Sequence, residues 1–502
     1  MKLTKNGFII RKEDFKPEKI KEIKDELTVK PHIMNDFGNT NEVKFKTYLE
    51  SPKKLYLPRF YGIEKFGIPE KIELEGDEIN IKFKGDLREE QKPIYDICMK
   101  QILSIGGGIL SLKCGGGKTI LALYVLSKLK HKTIVIVHKD FLMTQWYDRI
   151  KEFIPDARIG KIQQNTIDIE NKDIVLAMVQ SLSMKEYPED TFNSFGLAIF
   201  DECHHLGAEV FQRCMSKVQT KYMFGLSATP NRKDGCRKVF EWYIGKTAYA
   251  TKEKNTDYVK VDILTYSIVD EDYCKIENIY TQKGPKACCP RMINNICNYK
   301  PRTNIVILKI IEYFKEGRDI LYLSDRRQNL KDIYDMLKKN NIDSGFYVGG
   351  MKPEQLRDAQ EKQIILGTFS MASEGMDIPK LNTIILGSPK SDIVQSVGRI
   401  LRQTKENRKF HPLIFDINDE FSIFKNQSKK RLQFYHKQNY DIDIIDLDGN
   451  IEKCLKGKNK KKELNLNICL IDYQHHQLHQ HHRHHQHHRH LYYYHVFVFD
   501  KL

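Results

Sequence analysis

The sequence predicts an α/β protein with two tandem units of mostly parallel sheet, a small α+β module before them and a low-complexity tail after them. Short, wholly apolar and often β-branched runs alternate with helical segments in two successive stretches of the chain. This alternation is typical of parallel sheets that are covered by helices on both faces. The chain of 502 residues is also too long for one core, since domains usually run ~100–200 residues.

Changes of pattern along the chain predict the domain boundaries. The five regions are an N-terminal α+β accessory module, a first α/β unit, a connecting region of weaker pattern, a second α/β unit and a tail. In chain order they cover residues 1–85, 86–245, 246–300, 301–440 and 441–502. The tail is basic and histidine-rich, with eleven of the 18 histidines between His475 and His495. Because such a tract cannot build a core, we expect disorder there, with Zn²⁺ or Ni²⁺ binding as the alternative.

Hydrophobic runs and their spacing predict the elements of each region. In the module, β-like runs cover Lys44–Tyr48, Lys54–Leu57 and Ile79–Phe83. In the first unit we predict helices over Ile120–Leu129 and Phe141–Phe153, and strands over Thr133–Val137, Asp173–Met178, Leu197–Phe200 and Tyr222–Leu226. In the second unit we predict helices over Asn304–Phe314, Leu330–Lys338 and Asp392–Leu401, and strands over Ile320–Leu323, Ile342–Val348, Gln363–Gly367, Thr383–Gly387 and Leu413–Asp416.

The charge balance indicates a polyanionic partner. The formal net charge is +16 at pH 7, which nucleic acid would complement most simply. The 11 cysteines show no repeated C-x-x-C spacing, so we expect reduced thiols and no structural zinc. The chain shows no secretory segment and no run approaching the ~18 apolar residues of a membrane span. We therefore expect a cytoplasmic protein without a membrane partner.

The stretch from Leu112 to Thr119 reads LKCGGGKT and lies between an apolar run and a helical segment. Backbone N–H groups of the consecutive glycines Gly115 to Gly117 can converge on a phosphate at the positive end of the helix. Lys118 would reach the β- and γ-phosphates of a nucleotide, and Thr119 would hold Mg²⁺. Because Leu112 replaces the first glycine of the G-x-x-x-x-G-K-[ST] pattern, a glycine-rich turn with a solvated lysine is the alternative.

Paired carboxylates follow the predicted strand Leu197–Phe200. Asp201 is suited to holding Mg²⁺ together with Thr119, and Glu202 to polarising the water that attacks the γ-phosphate. A solvated strand end is the usual reading of an isolated acidic pair. Here the pair lies about 80 residues after Lys118 with alternating strands between, which favours a nucleotide site.

Two later segments add polar side chains to this candidate site. Ser227 and Thr229 follow a buried strand and are suited to hydrogen-bonding the carboxylate pair and sensing its state. In the second unit, the predicted helix would place Gln395, Arg399 and Arg402 on one face, because they are four and three residues apart. We expect this face to turn toward the glycine loop, where two guanidiniums could span a triphosphate during phosphoryl transfer. Surface arginines paired with carboxylates are the alternative.

The order of these motifs resembles that of the superfamily 2 nucleic-acid helicases over residues ~87 to ~440. The matching segments are the L-R-x-x-Q segment that ends at Gln91, LKCGGGKT, VHKDFLMTQW (Val137 to Trp146), AMVQSLS (Ala177 to Ser183), DECH from Asp201, SATP from Ser227, YLSDRR (Tyr322 to Arg327), GTFSMASEGMDIP (Gly367 to Pro379) and QSVGRILR (Gln395 to Arg402). Cys203 departs from the alanine of DEAH proteins, and Leu112 from the small residue that many helicases carry. Both changes lie outside the charged positions.

Two narrower resemblances refine this family. The lead-in to the glycine loop and the ATPNRKDG segment from Ala228 resemble the DEAH-like repair and transcription branch that includes XPB and the phage UvsW helicase. The segments Thr47 to Pro69 and Phe346 to Lys352 resemble the transcript-release helicases of poxviruses and of other large cytoplasmic DNA viruses.

The resemblance implies two RecA-like domains of the P-loop NTPase type that close on ATP and Mg²⁺ while one nucleic-acid strand crosses both. It assigns catalysis to Lys118, Asp201, Glu202, Arg399 and Arg402. It assigns ATP binding to Gln91, Leu112, Lys113, Cys114, Gly115, Gly116, Gly117, Lys118, Thr119, Gly375, Asp377 and Gln395. It assigns Mg²⁺ binding to Thr119 and Asp201. It assigns the coupling of hydrolysis to movement to His204, Ser227 and Thr229.

The expected function is an ATP-dependent helicase or translocase that moves 3′ to 5′ on DNA or RNA. The protein would bind the nucleic acid mainly through its phosphates. Viral transcript release is the expected context. Four alternatives stay open: a stimulated ATPase that remodels nucleoprotein without separating strands, a repair or recombination helicase, a metabolic or transport NTPase, and a scaffold without turnover. The resemblance implies a host-cytoplasmic location and leaves open virion packaging and contact with the transcription machinery. A monomer is the expected state.

Overall fold

The computed structural model describes residues 1–30, 44–112, 115–202, 208–228, 236–251, 258–281, 284–374, 376, 378–403 and 407–457. Three large sheets carry this part of the chain, one of five strands and two of eight. All three lie within one compact unit that spans Met1–Leu455. No helix among the described residues combines the length and apolar character needed to cross a membrane.

The N-terminal module is built on the five-stranded sheet, in the order β5-β6-β2-β1-β7. Its elements are β1 (Lys2–Thr4), β2 (Gly7–Arg11), α1 (Pro17–Glu26), β3 (Thr28–Val29), β4 (Phe45–Lys46), β5 (Leu49–Glu50), β6 (Lys54–Leu57), α2 (Arg59–Phe66) and β7 (Lys71–Ile72). The strand predicted over Ile79–Phe83 does not form. This extended segment instead lays Ile79 and Ile81 onto the core of the first α/β unit, which explains its alternating pattern without sheet pairing.

The first α/β unit is an eight-stranded sheet in the order β11-β10-β12-β9-β13-β14-β8-β15. Its elements are α3 (Lys92–Ile105), β8 (Gly107–Ser111), α4 (Lys118–Leu129), β9 (Thr133–Val137), α5 (Asp140–Phe153), β10 (Ile159–Gln163), β11 (Thr166–Asp168), β12 (Ile174–Met178), α6 (Val179–Met184), β13 (Leu197–Phe200), α7 (Ala208–Met215), β14 (Tyr222–Ser227), α8 (Arg237–Ile244) and β15 (Thr247–Ala250). All neighbouring strands are parallel except β10 and β11. Two apolar layers flank the sheet, as the predicted parallel fold requires.

The second α/β unit is an eight-stranded sheet in the order β20-β21-β19-β22-β23-β16-β24-β25. Its elements are β16 (Lys260–Tyr266), β17 (Asn278–Thr281), β18 (Gly284–Ala287), α9 (Cys289–Asn298), α10 (Lys300–Lys315), β19 (Ile320–Leu323), α11 (Arg327–Lys339), β20 (Gly345–Tyr347), α12 (Pro353–Glu361), β21 (Ile364–Gly367), α13 (Phe369–Glu374), β22 (Thr383–Leu386), α14 (Val394–Val397), β23 (Leu413–Asp419), α15 (Phe424–Lys437), β24 (Asp441–Ile445) and β25 (Ile451–Leu455). Strands β17 and β18 form a separate hairpin. The two tandem α/β units predicted from the sequence are confirmed.

The chain between and after the two units differs from its expected role. Residues 246–300 were predicted to connect the units, yet β15 completes the first sheet and β16 lies inside the second, parallel to both β23 and β24. The predicted tail likewise begins with two strands of the second sheet, β24 and β25. The charged residues of β16 and β24 hid these strands from a search for apolar runs. The histidine-rich stretch lies outside the described residues.

A buried arginine fastens the N-terminal module to the first α/β unit. Arg59, which is 4% exposed, donates hydrogen bonds to the carbonyls of Thr220 (3.2 Å), Lys221 (2.8 Å) and Ile105 (3.1 Å). Burial lowers the pKa of Arg59 to about 10, so the guanidinium is still charged at neutral pH. Three carbonyl dipoles, rather than a carboxylate, therefore stabilise this cation at the boundary.

Candidate active site

The candidate site lies at the carboxyl edge of the first sheet. Strands β13, β14 and β8 are parallel neighbours, with Phe200 beside Gly225 and Ser227 beside Ser111. Because parallel strands end at the same edge, the loops that follow β8, β13 and β14 converge there. These loops carry the glycine run, the carboxylate pair and the hydroxyl segment that the sequence singled out.

The glycine loop has the backbone that phosphate binding needs. Gly115 and Gly117 adopt left-handed conformations, with φ of +78° and +77°, which are strained for residues with a side chain. Gly117 caps the amino end of α4, and Lys118 is the first residue of that helix. Thr119, half-buried, follows in the first turn. The backbone N–H groups of the first helical turn and the positive helix end therefore face the same place.

Leu112 precedes the glycine loop with its side chain in the core. Its side chain is 4% exposed and belongs to the apolar core of the first unit, while its N–H donates to the carbonyl of Ser227 at 3.1 Å. Only its backbone therefore faces the loop. Lys113 and Cys114, which we also predicted to bind ATP, lie outside the described residues.

The predicted carboxylates stand directly against the glycine loop. Nζ of Lys118 lies 2.6 Å from Oε1 of Glu202, and both side chains are mostly buried. The other oxygen of Glu202, Oε2, accepts a hydrogen bond from the N–H of Ala228 at 3.3 Å. Glu202 has a left-handed backbone, with φ of +47°, an uncommon conformation for such a residue and one that clusters at functional sites.

Asp201 is buried beside this pair. Desolvation, together with the negative charge of Glu202, raises the pKa of Asp201 to about 6. Because burial makes the ionised form of Asp201 costly, a cation bound beside it would stabilise that form. The donor set fits Mg²⁺, which prefers one or two carboxylates, a hydroxyl and phosphate oxygens, and Thr119 in the first turn of α4 would supply the hydroxyl.

Trp146 makes a contact with the candidate site that sequence reasoning missed. Its indole N–H donates a hydrogen bond to Oδ2 of Asp201 at 2.8 Å, and the ring is 1% exposed. The residue lies on α5, at the end of the VHKDFLMTQW segment. An indole N–H that fixes a carboxylate in this way would orient Asp201 toward Mg²⁺. The Gln145-Trp146 pair in that segment was the only sequence signal of this contact, but the burial of an apolar helix face explained the tryptophan equally well.

Replacing Trp146 by phenylalanine is expected to raise the Mg²⁺ concentration for half-maximal ATPase activity about 10-fold, because partners that orient metal ligands typically contribute 10–100-fold to metal affinity. Titrating Mg²⁺ at saturating ATP measures this. The control is Trp242→Phe, since Trp242 packs edge-on against Tyr61, away from the site. Equal Mg²⁺ requirements in both variants, with only a lower melting temperature for Trp146→Phe, would leave Trp146 a core residue.

Gln91 closes one side of the glycine loop. Its side-chain amide donates to the carbonyl of Gly116 at 3.3 Å and its oxygen accepts from the N–H of Arg88 at 3.2 Å. A β-carbon on Gly117 would lie 2.3 Å from Nε2 of Gln91, so glycine is required for this approach. The position of Gln91 leaves one amide hydrogen for the ATP that the resemblance assigns to it.

Arg402 reaches the glycine loop from the second unit. A β-carbon on Gly115 would lie 3.7 Å from Cγ of Arg402. The helix predicted over residues 392–401 is wrong in part, because α14 ends at Val397 and a 3-10 turn covers Gly398–Leu401. A glycine inside so short a segment favours the change of winding.

The contacts of Arg399 differ from the prediction. Arg399 is 5% exposed and donates to the carbonyls of Ala372 and Met376 in its own unit. Gln395 is half-buried on α14. Of the two predicted arginines, only Arg402 has a described contact with the glycine loop.

The coupling residues are described in part. Ser227 ends β14 and is 1% exposed. Contact between its segment and the carboxylate pair runs through the backbone N–H of Ala228. Four further predicted site residues, His204, Thr229, Gly375 and Asp377, lie outside the described residues.

Two family models match the chain, one at each unit. The type III restriction enzyme res subunit matches residues 84–232, and the helicase conserved C-terminal domain matches residues 303–404. A candidate ATP-dependent RNA helicase of Acanthamoeba polyphaga mimivirus is 38% identical over 453 residues, which cover 88% of this chain and 86% of that protein. A candidate ATP-dependent RNA helicase of African swine fever virus is 28% identical over 380 residues, covering 70% of this chain and 73% of its own length.

Among solved structures, a fragment of a candidate HsdR subunit of a type I restriction enzyme from Vibrio vulnificus is similar in fold. The match covers 74% of the chain described here and 71% of the HsdR fragment, with a TM-score of 0.51 and 16% sequence identity. At this identity the likeness concerns the fold alone, and it supports the tandem arrangement of two α/β units.

Proposed function

We propose a mechanism for this chain from one premise, which is that it belongs to the ATP-dependent helicases of superfamily 2. It is thus an enzyme that uses ATP with Mg²⁺ and binds nucleic acid. We propose further that it moves 3′ to 5′ along a strand, that the strand is RNA or part of an RNA–DNA hybrid, and that it releases transcripts. The names of the mimivirus and African swine fever virus relatives, which specify RNA, favour RNA over DNA.

The observation that supports this motor most strongly is the meeting of both units at one loop. Lys118 and Glu202 come from the first unit, and Arg402 from the second unit lies against Gly115. A site that needs side chains from two units is completed or opened by their relative movement. Hydrolysis can therefore be coupled to a change in the cleft, and the cleft to a strand that crosses both units.

The proposed chemistry begins with an exchange of partners at Lys118. Its ammonium is 2.6 Å from Glu202 and can turn from this carboxylate to the β- and γ-phosphates of ATP. Glu202 is then available to accept the proton of the attacking water, while the N–H of Ala228 holds its second oxygen. Mg²⁺, held by Thr119 and Asp201, would neutralise phosphate charge when bound.

Arg402 and Gln91 would complete the proposed reaction. Arg402 would stabilise the charge that develops on the transferred phosphoryl group, as an arginine finger does. Gln91, bonded to Gly116, would link recognition of the base to the shape of the glycine loop. Arg399, held by the carbonyls of residues 372 and 376, would support the loop that follows α13.

Nucleic-acid-stimulated ATP hydrolysis tests the proposal. We expect single-stranded RNA to stimulate hydrolysis, and Lys118→Ala to abolish it, because this lysine supplies the phosphate contact. Duplexes with a 3′ or a 5′ overhang, made of RNA, DNA or hybrid, then report direction and substrate. Strand separation from 3′ overhangs supports the helicase, whereas stimulated ATPase without separation on any duplex favours a remodelling ATPase. Stimulation by DNA alone would contradict the RNA track.

The remaining parts of the proposal concern partners and location. We propose that the protein acts as a monomer in the host cytoplasm, in contact with the transcription machinery, and that virion packaging would place it there early in infection. The net charge of +16 supports binding through the phosphate backbone with little sequence preference. A repair or recombination helicase is the competing role, and a preference for branched DNA over RNA would favour it.

A further inference from the structure

Helix α15, Phe424–Lys437, exposes only basic residues among its ionisable side chains. Its sequence contains no acidic residue. The exposed basic residues are Lys425, Lys429, Lys430, His436 and Lys437. In the part of the chain that the structure describes, none of these lysines forms an ion pair. Lysines on other helices do pair, such as Lys19 with Glu22 on α1 and Lys309 with Glu312 on α10.

The opposite face of α15 fixes the direction in which these cations point. Phe424, Arg431 and Tyr435 are buried there. Arg431 donates to Oδ2 of Asp416 at 2.8 Å and to the carbonyl of Lys390 at 2.8 Å, and the hydroxyl of Tyr435 donates to the same Asp416 oxygen. Rotating the helix would break this buried ion pair and leave a buried charge without its partner, which is strongly destabilising. The basic face is therefore held toward solvent.

The amino-terminal part of the helix, which carries Lys425, Lys429 and Lys430, begins at the carboxyl edge of the second sheet, where β23 ends. Lys390, whose carbonyl Arg431 holds, forms a 2.7 Å ion pair with Asp325 in the loop after β19. Near the amino end of α15, Gln427 contacts the sulfur of Cys289 at 3.6 Å. Arg326, next to Asp325, donates to the carbonyl of Pro290, which adjoins Cys289. The basic face thus continues the surface around the YLSDRR segment.

We propose that the exposed face of α15 is an additional binding surface for the phosphate backbone of the nucleic-acid strand, outside the matched helicase domain of residues 303–404. From Lys425 to Lys437 the helix extends about 18 Å, and one strand of a duplex places a phosphate about every 3.4 Å along its axis. The face can therefore follow about five phosphates. This inference rests on the proposed function, because it requires a nucleic-acid strand that crosses the second unit.

The test is binding of the full chain to single-stranded RNA and DNA at several salt concentrations. The variant Lys425→Gln/Lys429→Gln/Lys430→Gln is expected to bind about 10-fold more weakly near physiological salt. The slope of log affinity against log salt should fall by about 2, since each single-strand phosphate contact contributes about 0.7. ATPase activity at saturating strand should stay unchanged, because no residue of the nucleotide site is altered.

The matched control removes three lysines from the opposite edge of the same sheet. Lys315, Lys338 and Lys339 are exposed at the carboxyl ends of α10 and α11, and their triple glutamine variant has the same net charge. Equal loss of affinity in both variants would overturn the proposal and leave only the effect of net charge. An unchanged salt slope in the α15 variant would also overturn it. Absence of strand binding by the unaltered chain would defeat the proposed function itself.

Discussion

Replacement of Glu202 by glutamine is expected to lower nucleic-acid-stimulated ATP hydrolysis by about 10²–10⁴-fold, the usual contribution of a general base, while ATP still binds. Glutamine matches the shape of glutamate but cannot take the proton of the attacking water. The variant loses the charge that pairs with Lys118 at 2.6 Å, so Lys118 is released toward phosphate and ATP binding should not weaken. Steady-state hydrolysis and a nucleotide-binding titration separate the two effects.

The control for this substitution is Glu209→Gln. Glu209 lies on α7 and pairs with Arg213 on the surface, where an exposed ion pair contributes little. Its loss should leave turnover unchanged. If Glu202→Gln hydrolysed ATP at the normal rate with stimulation intact, the base would have to be another group, and the proposed role of the left-handed Glu202 would be lost.

Replacement of Arg402 by alanine is expected to lower the maximal rate of hydrolysis by about 10³-fold or more, since arginine fingers contribute 10³–10⁵ to phosphoryl transfer. The KM for ATP should change only a few-fold, because the interaction is strongest in the transition state. Arg402→Lys should restore a small part of the rate, since an ammonium cannot reproduce a two-pronged guanidinium contact. Measuring maximal rate and KM for both variants tests this.

A suitable control for Arg402 is Arg357→Ala, which removes an exposed arginine from α12 in the same unit. Its hydrolysis should be normal. A large rise in the KM for ATP without a loss of maximal rate in Arg402→Ala would show that this arginine only binds nucleotide. Normal hydrolysis in Arg402→Ala would remove the main support for a site shared between the two units.

The sequence predicted those parts of the fold whose strands are wholly apolar. Thr133–Val137 is buried on both faces of a parallel sheet, and its β-branched residues suffice to identify it. Strand β16 was missed because Lys260 and Asp262 interrupt it. In the structure Lys260 lies within 3.3–3.4 Å of Asp262 and of Asp443 on the adjacent strand β24. Charges that neutralise each other across a sheet look, in sequence, like a surface segment.

Part of the candidate site could likewise be predicted from the sequence, and part could not. Local motifs sufficed to bring the glycine loop, Lys118, Asp201 and Glu202 together, because all of them follow strands that end at one edge. The contact of Trp146 with Asp201 could not be predicted, since an indole on an amphipathic helix signals burial first. Nor could the contacts of Arg399, because its carbonyl partners, Ala372 and Met376, lie more than twenty residues earlier in the chain.

The position of β16 limits how the polypeptide can be divided for study. A recombinant fragment that begins at residue 301 would lack the strand between β23 and β24. The long edge of β23 would then be open, with seven residues of unpaired backbone, and such edges recruit other chains. Autonomous folding of the back half therefore requires residues that precede its family signature by about forty positions, and truncation at residue 440 would remove β24 and β25 as well.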